Sequence, residues 1–247
     1  MPRYFLELSY KGTRYNGFQI QQNANTIQAE VEKALSTLFK QSFELTGSSR
    51  TDAGVHALQN FFHFDTDVVV EQKHIYNLNA ILPNDIIAKN VTQVSYDKHC
   101  RFAAESREYK YFIYTSKNPF LEDRAYFFPY KLDIDLLQQA AAILLTYTDF
   151  ASFSKKHTQV NNFNCNISIA KWTIENDCLV FNVKSNRFLR GMVRALVATM
   201  LKVGRGQISI EDFKQIIETK DCAIAFFDTP ANGLFLVKVD YEIANGK

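Results

Sequence analysis

The stretch Ser42–Asp65, SFELTGSSRTDAGVHALQNFFHFD, decides how the rest of the chain is read. Ser42–Thr46 has the pattern of a short strand, and Val55–Asp65 that of a long, aromatic-rich one. Between them, Gly47–Gly54 is a polar connection with a glycine at each end, where tight backbone paths are allowed. On the N-terminal side, Arg3–Tyr10 reads as a strand, with Phe5, Glu7 and Ser9 alternating against Leu6, Leu8 and Tyr10. A helix then starts near Asn25 or Thr26, either able to cap it, and carries Ile27, Val31, Leu35, Leu38 and Phe39 on one side. On the C-terminal side, Gln72–Leu82 reads as a helix that stops before Pro83, and Ile86–Val94 as the next strand. The order is β-α-β-β-α-β.

The second half repeats that order. Arg107–Thr115 is a strand and Asp133–Leu145 a helix. Ile167–Ile174 and Leu179–Lys184 are strands around the turn Glu175-Asn176-Asp177. Arg187–Val203 reads as a long helix ended by Gly204, Ser209–Thr219 as a second helix capped by Ser209, and Leu234–Tyr241 as the last strand. The expected fold class is α+β: two ferredoxin-like, split β-α-β halves, with antiparallel sheets side by side around a central active-site cleft. The expected domains are 1–104 and 105–247, joined near Asp97–Ser106. Residues 116–132 and 146–165 read as inserted loops.

Composition narrows the class of protein. In 247 residues, 47% are hydrophobic and 14% aromatic, which excludes a disordered or fibrous chain. Lys plus Arg is 28 and Asp plus Glu 26, a net charge of +2, so a polybasic tail protein is excluded but a local basic surface is not. Cys100, Cys165, Cys178 and Cys222 form no C-x-x-C pair, as expected for reduced, buried thiols. The opening Met-Pro-Arg-Tyr-Phe shows no signal-peptide pattern, and no apolar run nears the roughly 20 residues of a membrane helix. A cytoplasmic protein is expected.

Three features can carry chemistry. Asp52 sits in the polar connection two residues before Gly54, which is also how an ordinary Asx turn looks; Arg50 can pair with it or with a phosphate. From Lys184 to Ile210 there are Lys184, Arg187, Arg190, Arg194, Lys202 and Arg205 and no acidic residue, a charge concentration that suits phosphate or a merely solvated face. Arg107, Tyr109, Lys110 and Tyr111 interleave cations with aromatics, either to stack unpaired bases or as one core face of a strand. His56, His63, His74, His99 and His157 show no metal-ligand spacing, and no Gly-rich phosphate loop or dinucleotide fingerprint occurs.

Taken together, these segments resemble the tRNA pseudouridine synthase A family over nearly the whole chain. The resemblance rests on Tyr10-Lys11-Gly12 through Gln21, Thr26-Ile27-Gln28, the contiguous Arg50-Thr51-Asp52-Ala53-Gly54-Val55-His56-Ala57, and Asn79 with Leu82-Pro83 and Asp85-Ile86. It continues in His99 with Arg101-Phe102, Arg107, Tyr109 and Tyr111, Phe188 with Met192-Val193-Arg194, Val203-Gly204 with Gly206, and Pro230-Ala231 with Gly233-Leu234 and Leu236. It departs at Phe18, where tryptophan is common, at Ser48-Ser49, at Lys98, at Cys100, where alanine is common, and at Phe227-Asp228.

The resemblance implies two ferredoxin-like halves and isomerisation of uridine to pseudouridine at positions 38, 39 and 40 of the tRNA anticodon arm, by a homodimer in which one tRNA contacts both subunits. It implies that Asp52 is the catalytic aspartate, that Tyr109 packs on the target base, that Arg194 pairs with Asp52, and that Leu234 lines the uracil pocket. Arg50, Arg107, Arg190 and Lys202 are then expected to bind the RNA. The reaction transfers no electrons, so neither cofactor nor metal is expected. The competing readings are a non-catalytic RNA-binding or RNA-folding module, which needs no buried aspartate, and a basic protein-interaction domain, which leaves the Arg50–Ala57 loop unexplained.

Overall fold

The computed structural model describes residues 1–156 and 161–242; His157 lies outside the described residues. In chain order the regular elements are β1 (Arg3–Tyr10), α1 (Ile27–Phe39), β2 (Thr46–Gly47), β3 (His56–Asp65), α2 (His74–Ile81), β4 (Ile86–Val94) and β5 (Ala104–Tyr114). They continue with β6 (Tyr126–Phe127), α3 (Ile134–Ile143), β7 (Ile167–Glu175), β8 (Cys178–Ser185), α4 (Met192–Gly204), α5 (Ile210–Thr219) and β9 (Leu234–Tyr241). The class is mixed α+β. No described helix is long and apolar enough to cross a membrane.

The chain forms two compact units, Met1–Glu105 with the stretch from Phe235 on, and Ser106–Leu234. In the first unit, β1 lies between β4 and β3, antiparallel to both, with Leu6 opposite Phe62 and Val91. Along its other edge β3 pairs antiparallel with β2 and parallel with β9 (His56 opposite Phe235). One sheet face packs on α1, whose Ile27, Val31 and Leu35 are buried with Leu6, Leu8, Phe62 and Phe64. Thr26 caps α1, its hydroxyl accepting from the Ala29 N–H. The opposite face carries Phe5, Phe61 and Tyr241, with Tyr241 edge-on at 5.4 and 5.0 Å. Both faces of β3 are therefore largely covered, and its burial follows no strict alternation, Phe62, His63 and Phe64 being buried in succession.

In the second unit, β8 lies between β5 and β7, antiparallel to both. Asn176 and Asp177 both have positive φ (48° and 63°), the two-residue turn whose twist matches a hairpin. α3 packs on α4 and β7, and α4 is buried almost all round, from Met192 to Gly204, except Arg194 and Lys202. Ser209 caps α5 in a full capping box with Asp212.

Three expectations need correction. The helix expected from Arg187 begins at Met192, because Gly191 takes φ +76°, a left-handed geometry that interrupts helical backbone. The strand expected over Ser42–Thr46 reduces to Thr46–Gly47. Within Asp97–Ser106, where the two units divide, Cys100 is fully buried and Ala104 already belongs to β5. The segment 116–132 contains β6, which pairs parallel with β5.

Candidate active site

In the first unit the site is the connection from β2 to β3. It is long and polar, yet its backbone is held from several sides. The Phe18 N–H donates to the Thr51 carbonyl (3.1 Å), and the Gly54 N–H to Tyr15 O (3.4 Å). The Val55 N–H donates to the Asp52 carbonyl (3.2 Å), closing a tight turn with Gly54 at φ +79°. Beneath the loop, Asn60 Nδ2 donates to the Ser49 carbonyl (2.9 Å) and to the Tyr10 hydroxyl (3.1 Å). The Tyr10 hydroxyl also shares a 2.8 Å bond with Thr51 Oγ1. All three side chains are buried.

The preceding loop, residues 11–17, braces this one. Its Gly12 N–H donates to His56 Nδ1 (3.1 Å), and the His56 ring lies 4.5 Å from that of Phe235. Asp85 anchors it from the other side. Its carboxylate accepts from the Tyr15 hydroxyl (2.5 Å) and Arg14 Nε (2.7 Å), and its carbonyl from the Lys11 N–H (2.9 Å). Burial alone would raise the Asp85 carboxyl, but these hydrogen bonds outweigh it and hold it below the ordinary carboxylate range. On this frame Asp52 is half-buried and Arg50 exposed. Asp52 thus sits on a backbone held by hydrogen bonds from several sides.

In the second unit, Tyr109 is half-buried on β5 opposite Val183, its ring edge-on to Phe188 at 5.1 Å. Arg107 donates to the Asn186 carbonyl (3.0 Å). Arg190 is exposed and precedes α4 rather than lying on it. Arg194 and Lys202 lie on α4 and both turn toward residues 226–229. Arg194 donates through Nε to the Thr229 carbonyl (2.8 Å), and the Thr229 hydroxyl donates back to the Arg194 carbonyl (2.9 Å). Lys202 lies 3.9 Å from Asp228 and 5.2 Å from the Phe226 ring.

The segment that follows is pinned just as firmly. The Tyr111 hydroxyl, buried and pushed well above the ordinary phenol range by that burial, donates to the Pro230 carbonyl (2.7 Å). Asn232 Nδ2 donates to the Glu122 and Ala125 carbonyls (2.9 and 3.2 Å). Leu234 leaves this segment buried. The structure thus joins Arg194 and Leu234 through one fixed stretch of backbone. Sequence reasoning singled out neither Thr229, Asn60 nor His56 as supports. An asparagine inside the apolar run Leu58–Phe64 was the one visible signal.

A family model described as tRNA pseudouridine synthase matches residues 8–103 and 140–242. The chain is 43% identical to the tRNA pseudouridine synthase A of Parabacteroides distasonis, over 98% of this chain and 96% of that one. It is 45% identical to that of Bacteroides thetaiotaomicron (98% and 91%) and 36% identical to that of Staphylococcus aureus (96% and 91%). With a match that reaches into both units and relatives of this identity over nearly the whole chain, the chain belongs to the tRNA pseudouridine synthase family.

Proposed function

We propose that this chain isomerises uridine to pseudouridine at positions 38, 39 and 40 of the tRNA anticodon stem-loop, with Asp52 acting at the ribose of the target nucleotide. Membership of the family makes it an isomerase acting on tRNA uridine. The observation that carries the assignment of Asp52 is the braced 47–55 connection, held by hydrogen bonds with Tyr10, Asn60, Tyr15 and Phe18.

The chemistry explains why such a loop is needed. The N1–C1′ bond breaks, a C5–C1′ bond forms, C5 loses a proton and N1 gains one. No electrons are transferred. The hard moment is the electron-poor C1′ as uracil departs, and a fixed carboxylate there can attack C1′, stabilise its charge or remove a ribose proton. Positioning is the protein's main contribution, and an ångström of drift is costly. Arg194 serves as the counter-ion of Asp52 in this reading. Tyr109 packs on the detached uracil and limits water entry, and Leu234 lines the base pocket. The target base leaves its stack at a cost of a few kcal/mol, offset by phosphate contacts from Arg50, Arg107, Arg190 and Lys202.

The strand orders support two ferredoxin-like halves dividing near residues 104–105, since β4-β1-β3-β2 is antiparallel throughout and β5-β8-β7 matches the corresponding part of a second copy. A cytoplasmic homodimer completes the reading. Incubation with an unmodified tRNA transcript, followed by position-by-position mapping, is the test. Product confined to 38–40 is expected; product elsewhere, or none, overturns the site assignment.

A further inference from the structure

Sequence spacing gave no histidine a metal-ligating neighbour, yet folding assembles one group. Among the described residues, His63, His99 and Cys100 bring their ligand atoms within 4.8 Å of one another. His63 Nδ1 is 3.1 Å from Cys100 Sγ, and the two imidazole rings are 4.5 Å apart. We propose that these three side chains bind a soft divalent cation of the zinc class, which clips the turn after β4 to β3.

The donor set is the one such ions select, a thiolate with two imidazoles. Tetrahedral Zn–S and Zn–N bonds place sulfur and nitrogen about 3.6 Å apart, so His63 and Cys100 need separate by only about 0.5 Å. The Arg101 N–H donates to His99 Nδ1 (3.1 Å), which fixes the ring in its loop; ligation through Nε2 moves the ring proton to Nδ1 in exchange for that bond. Cys100 and His63 are buried, whereas His99 is half-buried and gives the entry path. The backbone is preset: Thr46 and His63 are paired across β2 and β3, the Cys100 thiol points at the Thr46 carbonyl (3.1 Å), and the Tyr241 hydroxyl donates to the Cys100 carbonyl (2.7 Å). The nearby Arg3 guanidinium, which opposes a cation, is itself bound bidentately by Asp65 at 2.8 Å. Binding replaces the thiol proton, released to solvent, and no redox change occurs.

The test is a cobalt titration of the chelator-treated full-length protein, read by the cobalt–thiolate charge-transfer band. One equivalent is expected to produce the band, added zinc to bleach it, and Cys100→Ala to abolish it although Cys165, Cys178 and Cys222 remain. His99→Gln, at a half-buried position, is expected to weaken binding at least about 100-fold. No band in the unmodified protein, or a band that survives Cys100→Ala, overturns the proposal. If Cys100→Ala fails to fold, undiminished cobalt affinity in His99→Gln overturns it instead.

Discussion

Gly12 stands so close to Val55 that a Cβ on it would lie 2.0 Å from the Val55 carbonyl oxygen and 2.7 Å from its carbonyl carbon. Both obstacles are backbone, so no rotamer change relieves the clash. Gly12→Ala is expected to cost about 3 kcal/mol of stability, visible as a lower denaturant midpoint. Because Val55 follows the Asp52 turn directly, turnover is expected to fall further than stability alone explains, at a temperature where the variant is still folded.

Tyr10 carries the second brace. Its hydroxyl accepts from Asn60 and shares a hydrogen bond with Thr51, so Tyr10→Phe leaves two buried polar groups short of a partner. A loss of about 1–2 kcal/mol is expected in chemical denaturation. Steady-state kinetics should show a lower kcat with KM for tRNA little changed.

Asp52→Asn keeps the size and the turn but removes the carboxylate. Product formation should disappear while the variant still retards tRNA in a binding assay. Substantial pseudouridine from this variant would remove Asp52 from the reaction.

The surroundings of Arg190 and Lys202 separate two cations that looked equivalent in the sequence. Arg190 is exposed, whereas Lys202 already faces Asp228 and Phe226. In binding isotherms at several salt concentrations, Arg190→Ala is expected to reduce the salt slope by about 1. Lys202→Ala should change it less. Equal slopes for both variants and the unmodified protein would take Arg190 off the RNA surface.

Acid stability has an identifiable contributor in Asp65. Its hydrogen bonds from Arg3 hold the carboxyl below the ordinary carboxylate range. A depressed folded-state value means that the pair stabilises the protein above the unfolded value, near pH 4, and that this is lost as pH falls through the folded value. Melting temperatures of the unmodified protein and Asp65→Asn should differ most above about pH 5 and converge on acidification. A constant gap would refute the pairing.

Local rules carried the sequence reading far. Thr26 and Ser209 cap their helices because a hydroxyl one residue ahead of an apolar-periodic run satisfies an otherwise orphaned N–H. The Glu175–Cys178 turn was legible because Asn and Asp tolerate positive φ. The misplaced start of α4 has a plain cause: at Arg187–Gly191, helical spacing of apolar residues said nothing about one left-handed glycine. Asp52, Arg50 and Tyr109 were legible as residues, but the supports of the site were not. Tyr10, Asn60, Tyr111 and Thr229 act across separations of 11 to 119 residues, and no local pattern encodes such partners.

The parallel pairing of β9 with β3 sets an order of events during synthesis. β3 leaves the ribosome early, but the strand that completes its edge at His56 and Ala57 is encoded after the entire second unit. Until then that edge is bare and able to pair with a stray strand. The first unit is therefore one strand short until the second has been made, and the aspartate loop beside that edge gains its last neighbouring strand only after β9 is synthesised.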